Sequence, residues 1–371
     1  MKVVRNLLVG KQLVLLAAVI TMHATGLFPT ARAQWTVTRL HPSGAINSGA
    51  VHIAGMQQVG QAVVDDVARA SLWTGSAASW VDLHPADAAL SVAYATSGSQ
   101  QAGYAVIAGR SRAMLWSGSA ASAVDLTPAG ATDAIAFGAS AGRQVGYAWY
   151  GLSHAGLWHG TASSWIDLHP AGVDSSLARA VSGEDQVGET LIGTVLHAAL
   201  WRGTADSWVD LHPGVASASR ALATSGTHQV GYAIVSGSWH AGLWTGSAAT
   251  WVDLNPDGAI QSIANGVFDT LQVGYADFED TRRAVAWNGS ADSWENLHAV
   301  LPAEFSMSEA YGIWSDGVSI SVAGAGFNTV ANRYEALLWT RPVPEPHAMV
   351  MLALGVGVVW RRRRKQPHRG A

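Results

Sequence analysis

The chain has 371 residues, 49% of them hydrophobic and 13% charged, with 40 Gly, 17 Trp and no Cys. That composition excludes a disordered chain, which would be charge-rich and poor in aromatics, and it excludes a disulfide framework or a cysteine metal site. Residues 34–360 hold 12 Arg, no Lys and 26 acidic residues, a net charge of −14, so no basic face is available to neutralise phosphates and nucleic-acid binding is not expected.

Residues 1–33 read as a secretory signal peptide. Lys2, Arg5 and Lys11 make a positive start, and Leu13–Ile20 is an apolar run too short to span a bilayer comfortably. Ala31 and Ala33 place small residues where signal peptidase needs them, which predicts cleavage before Gln34. The alternative for this stretch is a short N-terminal anchor helix.

From residue 34 to 340 one phrase recurs. Its Trp marks are Trp73, Trp116, Trp158, Trp201, Trp244 and Trp287, spaced by 43, 42, 43, 43 and 43 residues, with Trp339 following after 52. The Gln of "QVG" or its copy (Gln58, Gln101, Gln144, Gln186, Gln229, Gln272) and the Asp of "VDL" or "IDL" (Asp82, Asp125, Asp167, Asp210, Asp253) keep the same period. A period in the forties is that of one supersecondary unit that buries its apolar face against its neighbours. Each unit reads as four short strands: "SWVDLH", a stretch of small residues such as Ser176–Gly183, then "QVGYA", then "HAGLW". No helical periodicity appears. The expected fold is all-β, a seven-bladed β-propeller of ~43-residue repeats. The small-residue strand fits the crowded centre. The last unit ends at Thr340 without a "SWVDL" strand, while Gln34–Pro42 is an unaccompanied copy of it, so the N-terminal strand is expected to close the ring. An open solenoid of the same units is the alternative. The seventh unit carries an insertion, 299–312, and lacks a clean "QVGY".

Beyond the array, residues 341–347 form a Pro-rich linker with Pro344, Glu345 and Pro346, followed in 348–371 by an apolar run of 13 residues and the cluster Arg361, Arg362, Arg363, Arg364. This order resembles the PEP-CTERM sorting signal of exopolysaccharide-producing Gram-negative bacteria. The resemblance implies exosortase as a processing partner, transient membrane insertion through the tail, and export to the cell surface or the extracellular space. A plain tail anchor is the alternative. The copies "HAGLW" at His154 and His240 and "HAALW" at His197 resemble the HAF family of extracellular repeats, which implies an exported protein and no defined activity.

The recurrent Asp is expected to make a repeated structural hydrogen bond, and the recurrent His (His41, His84, His169, His212, His298) to stand before a turn rather than to ligate a metal. No cofactor, metal or catalytic residue is assigned. Function is expected where the copies differ, in the hairpins before each "LW": Trp149, Tyr150, Trp239, His240, Asp277, Glu279 and Asp280 form the candidate ligand face. Aromatics beside carboxylates would suit a surface glycan such as an exopolysaccharide, although ordinary loop drift gives the same variability. The expected role is binding or structural; the alternative is a polysaccharide hydrolase or lyase using Asp277, Glu279 and Asp280 with Glu304 and Glu309. Mass spectrometry of the exported protein should find Gln34 at its N-terminus and no Arg361–Lys365 cluster at its C-terminus. An intact cluster in secreted material would exclude the sorting signal.

Overall fold

A computed structural model describes residues 34–279 and 281–343. Trp35–Arg341 forms one compact unit of seven four-stranded antiparallel sheets, the blades of a β-propeller. Blade 2 is typical, with strands Ala88–Thr96, Gln101–Ile107, Arg110–Trp116 and Val124–Asp125 from the centre outwards. The small-residue strand is innermost. The "VDL" phrase is the outermost strand, and it is shorter than its Trp/Val/Leu content suggests. Only two residues enter the ladder, because a three-residue 3-10 turn such as Ala77–Ser79 precedes it and the His-Pro turn follows. Such short edge strands offer little for another chain to pair with.

The seventh blade closes the ring as its split copy predicts. Thr36–Arg39 pairs antiparallel with Arg333–Pro342, Thr36 facing Thr340 and Arg39 facing Leu337. Thr36 Oγ1 and Thr340 Oγ1 share a 2.9 Å hydrogen bond, Arg39 pairs with Glu304, and Arg341 makes two bonds to Glu295 of blade 6 at 3.0 and 2.7 Å while lying over Trp35.

The repeated Trp residues are the core. Trp73, Trp116, Trp158, Trp201, Trp244, Trp287 and Trp339 are all at most 1% exposed. Each packs across a blade boundary, as Trp116 of blade 2 does against Leu72 and Leu83 of blade 1. The repeated polar residues hold the blade corners. The "QVG" Gln accepts from the Gly amide after "LW", as Gln101 Oε1 does from Gly118 N at 2.8 Å. The "VDL" Asp accepts from the amide two residues on, as Asp210 does from His212 at 2.8 Å. The expected structural role of this Asp is therefore a turn-closing bond.

The recurrent His belongs to a lock between blades. A Ser on six of the seven innermost strands accepts from a buried amide on the third strand of the preceding blade. Ser91 accepts from Ala70 at 2.9 Å, Ser176 from Ala155 at 2.9 Å, Ser219 from Ala198 at 2.9 Å and Ser48 from Ala336 at 2.9 Å. The same hydroxyl meets Nδ1 of His84, His169, His212 and His41 at 2.8 to 2.9 Å. In blade 6 Asn255 stands for His and takes the Ser262 hydroxyl proton at 2.6 Å. His41 Nε2 is 3.0 Å from the carbonyl of Ala45 and must donate to it, so Nδ1 is free to accept from Ser48.

Every innermost strand also carries a β-bulge, at Ala50/His52, Ala93/Ala95, Ala136/Gly138, Ala178/Ala180, Ala221/Ala223, Ala264/Gly266 and Ala310/Gly312. Just before each bulge a carbonyl presses on the Gly of "VG" in the second strand. A Cβ on Gly231 would lie 2.0 Å from the carbonyl oxygen of Arg220, and one on Gly103 1.9 Å from that of Val92. Close backbone approach, rather than a positive φ, is why this position is glycine in every blade.

Two outcomes follow. Gly231→Ala should destabilise the fold by about 2–4 kcal/mol in urea denaturation, because backbone must move to admit the methyl group. Burial, foremost, holds His41, His169, His212 and His298 below the usual histidine pKa. With a depressed folded pKa, the unfolded chain binds more protons as pH falls below ~6.5, so stability should fall with pH in that range. Paired His169→Asn and His212→Asn changes, copying Asn255, should flatten that dependence; an unchanged slope would show that the locks are not the titrating element.

Candidate functional site

The bulge releases one residue per blade from the ladder and turns it to the central channel: Val51, Tyr94, Phe137, Arg179, Leu222, Asn265 and Tyr311. These seven line the narrow part of the channel, with a volume of ≈ 160 Å³. Its turn-side end widens to ≈ 390 Å³ and is ringed by Thr96, Ser97, Ser140, Ser182, Thr224 and Ser225. The blade marks repeat, but this ring is made of unlike side chains.

On the other side of the bulge, towards the hairpins before each "LW", blades 2 and 3 present an aromatic arc. Tyr94 stacks on Tyr104 at 5.8 Å and meets Phe137 at 5.3 Å, and Phe137 meets Tyr147 at 5.9 Å. Burial, then the neighbouring Tyr104, pushes the Tyr94 hydroxyl up to about 12, so it stays protonated at physiological pH. Arg179 of blade 4 lies 4.5 Å over Phe137.

Blades 4 to 7 continue the rim with ion pairs. Arg179 grips Glu189 with Nε at 3.0 Å and Nη2 at 2.6 Å, and Arg220 adds a longer contact at 3.9 Å. The Glu189 side chain is only 2% exposed, so this charge is desolvated and held by arginine alone. Arg282 bonds Asp277 at 2.8 and 3.0 Å and Glu309 at 2.6 Å, and lies 4.0 Å over Tyr275. Burial pushes the Tyr275 hydroxyl up to about 12 although Arg282 pulls it down. Tyr311 donates to Glu309.

The hairpin residues singled out from sequence lie on this same side. Trp149 and Tyr150 are 41% and 37% exposed, and Tyr150 meets His154 edge-on at 5.5 Å. Trp239 is 39% exposed and lies 5.6 Å from Tyr232. His240 turns away to the outer strand, where Nδ1 is 2.7 Å from Asp253. Asp277 and Glu279 border a depression of ≈ 590 Å³ between blades 6 and 7. Asp280, the signal-cleavage residues Ala31 and Ala33, and Pro344 to Pro346 and Arg361 to Arg364 lie outside the described residues. Gln34 is described and exposed.

Of the described carboxylates of the hydrolase alternative, Asp277, Glu304 and Glu309 are each tied to an arginine and do not form a free acid–base pair. Asp277 and Glu309 share Arg282, and hydrogen bonds from Arg282 and Gln261 hold the Asp277 carboxyl below its usual range despite partial burial. Glu304 is taken by Arg39 of the closing strand. Among the described residues no cluster of three or more His, Asp or Glu side chains could hold a metal ion, and no helix is long and apolar enough to cross a membrane.

Sequence reasoning missed the bulge residues. Their signal was present: one residue more than period-two alternation allows, always opposite the Gly of "VG".

The C-terminal segment, residues 342–364, matches the PEP-CTERM protein-sorting motif, which implies export and recognition by exosortase. No curated protein matches the chain. Among solved structures, it is similar to puromycin hydrolase (12% identity, TM-score 0.52, 80% of this chain and 53% of that one). A puromycin-hydrolyzing peptidase from Mycobacterium tuberculosis is similar in the same way (11% identity, TM-score 0.53, 82% and 54%). The β-propeller domain of the trilobed protease from Pyrococcus furiosus is matched over nearly its whole length (10% identity, TM-score 0.52, 81% and 98%). The chain thus spans about half the length of the two hydrolases and all but the margins of the isolated propeller domain. At these identities the likeness is one of fold. That propeller domain is described as having an open velcro topology; here the N-terminal strand closes the last blade.

Proposed function

We propose that the chain is an exported binding propeller of the cell surface or extracellular matrix, with residues 1–33 a signal peptide removed by signal peptidase and residues 344–371 a tail processed by exosortase. HAF-like repeats build its blades, and a glycan is its ligand. The observation that carries this reading is the rim of the channel, where Tyr94, Tyr104, Phe137 and Tyr147 form a continuous aromatic arc ending in Arg179. Sugar rings stack an apolar face on such surfaces and turn their hydroxyls to nearby hydrogen-bonding groups. Exposed Trp149 and Trp239 extend the same side of the ring.

A hydrolase or lyase is the weaker reading, since Asp277, Glu309 and Glu304 are each neutralised by an arginine. Puromycin hydrolases share only the propeller with this chain, and their activity is not transferred to it.

A glycan array probed with the full chain should give a signal that Tyr94→Ala with Phe137→Ala reduces at least tenfold, without turnover of the bound polysaccharide. Release of reducing or unsaturated ends, lost in Asp277→Asn, would favour the enzyme; silence on the array would sink the binding reading.

A further inference from the structure

The rim is broken at one place. By its place in the repeat, the fourth residue of each second-strand phrase is set against two residues of the next innermost strand, as Glu189 of blade 4 is against Arg220 of blade 5 at 3.9 Å. The first of the facing pair stands two before the bulge residue and the second is the bulge residue itself. From blade 2 to 3 these are Tyr104, Ile135 and Phe137; from blade 6 to 7 they are Tyr275, Glu309 and Tyr311. Where blade 7 meets blade 1, the three are Ala325, Gly49 and Val51. A Cβ built on Gly49 would come within 3.9 Å of the Ala325 methyl, so the two small residues face each other. The space left by the missing side chains is a cavity of ≈ 350 Å³, opening between Tyr311 and Tyr334.

The cavity is built rather than slack. Asn47 Oδ1 accepts from the Tyr334 amide at 2.9 Å across the boundary and fixes that aromatic at its edge. Phe327 backs Tyr334 in an edge-on contact at 5.2 Å. Tyr311 is held by Glu309 from behind. Gln61 lines the cavity where blades 2, 3, 5 and 6 carry Tyr, and its side-chain amide has no partner among the described residues. No lining residue is charged.

We propose that this seam cavity is a subsite for one uncharged pyranose ring. The inference rests on the glycan-binding reading above and narrows it. Two tyrosines offer the apolar walls, the Gln61 amide offers both a donor and an acceptor to ring hydroxyls, and the volume lies at the lower end of the range for small-molecule sites. Lack of a cation in the lining leaves a uronate carboxylate without a partner, which selects neutral sugars.

The probes are the methyl glycosides of glucose, galactose, mannose and glucuronic acid, added to the full chain and followed by ligand-observed NMR and calorimetry. At least one neutral glycoside should bind, and methyl glucuronide at least tenfold more weakly. Ala325→Tyr installs the residue that four other blades carry at this position, so the variant should fold with an unchanged melting temperature yet lose binding at least tenfold. Gln61→Ala should weaken it several-fold. Val318→Ser, at an exposed turn outside both the arc and the cavity lining, should leave it within twofold. Binding that survives Ala325→Tyr but not Tyr94→Ala would overturn the seam subsite and leave the glycan reading standing. Equal binding of the glucuronide would overturn the selection for neutral rings. Binding of no glycoside, together with a silent glycan array, would remove both.

Discussion

A buried backbone amide on the third strand of each blade sets the terms for the whole ring. The outermost strand, two residues long in blades 1 to 6 and four in blade 7, stops one residue short of that amide and leaves it without a partner in its own sheet. A buried amide left unpaired costs about 1–3 kcal/mol. The next blade supplies the acceptor, a Ser hydroxyl on its innermost strand, and the His or Asn of the connecting turn orients that hydroxyl. Short edges and tight blade-to-blade registration are therefore one arrangement. Blade 3 shows its tolerance: Ala134 stands in the Ser position, and Thr127, in place of His, reaches the Ala113 amide directly at 3.2 Å. Hydrophobic burial of seven tryptophans supplies the bulk of the cohesion, but it has no direction; the hydroxyl locks give each blade its angle to the next.

That rigidity frees the bulge. Once the ladder resumes on both sides of it, the released side chain carries no duty in strand pairing. Glycine on the second strand absorbs the displaced carbonyl. The position can then vary from Val to Arg to Tyr at little cost to the fold, and it points at the one space that all blades share. Loops at the rim vary too, but they lie further out and meet fewer neighbours. A fold with a constant frame and a variable axis concentrates its chemistry at the mouth of the channel.

Much of this frame was legible in the amino-acid sequence because repetition exposes whatever is repeated for a physical reason. The Trp, Gln and Asp marks each serve one bond or one packing site per blade, so their spacing reports blade number, and the split copy at Gln34–Pro42 reports how the ring is closed. The axis was not legible for the opposite reason. Val51, Tyr94, Phe137, Arg179, Leu222, Asn265 and Tyr311 share no side-chain property, and an extra residue in a strand of Ala and Ser looks like ordinary alternation slipping. Nor could the spacing reveal that Asp277 and Glu309 meet at a single arginine, since that contact crosses a blade boundary. The recurrent His was read correctly as a turn residue, but its partner, a Ser seven residues on in most blades, becomes meaningful only once the blades are stacked.

The closing strand also decides how the ring responds to load. The last strand of blade 7, Arg333–Pro342, lies between Thr36–Arg39 on one side and Ser319–Asn328 on the other. Tension applied through residue 342 along the strand axis meets both ladders in shear, so many hydrogen bonds must yield together rather than one after another. The Arg341 pair with Glu295 adds a latch to the neighbouring blade at the point where the pull arrives. A pull on Thr36 from the N-terminal side is borne by a four-residue edge strand alone. The ring is thus mechanically lopsided, strong when tethered by its C-terminal end and weak when pulled from its N-terminal one.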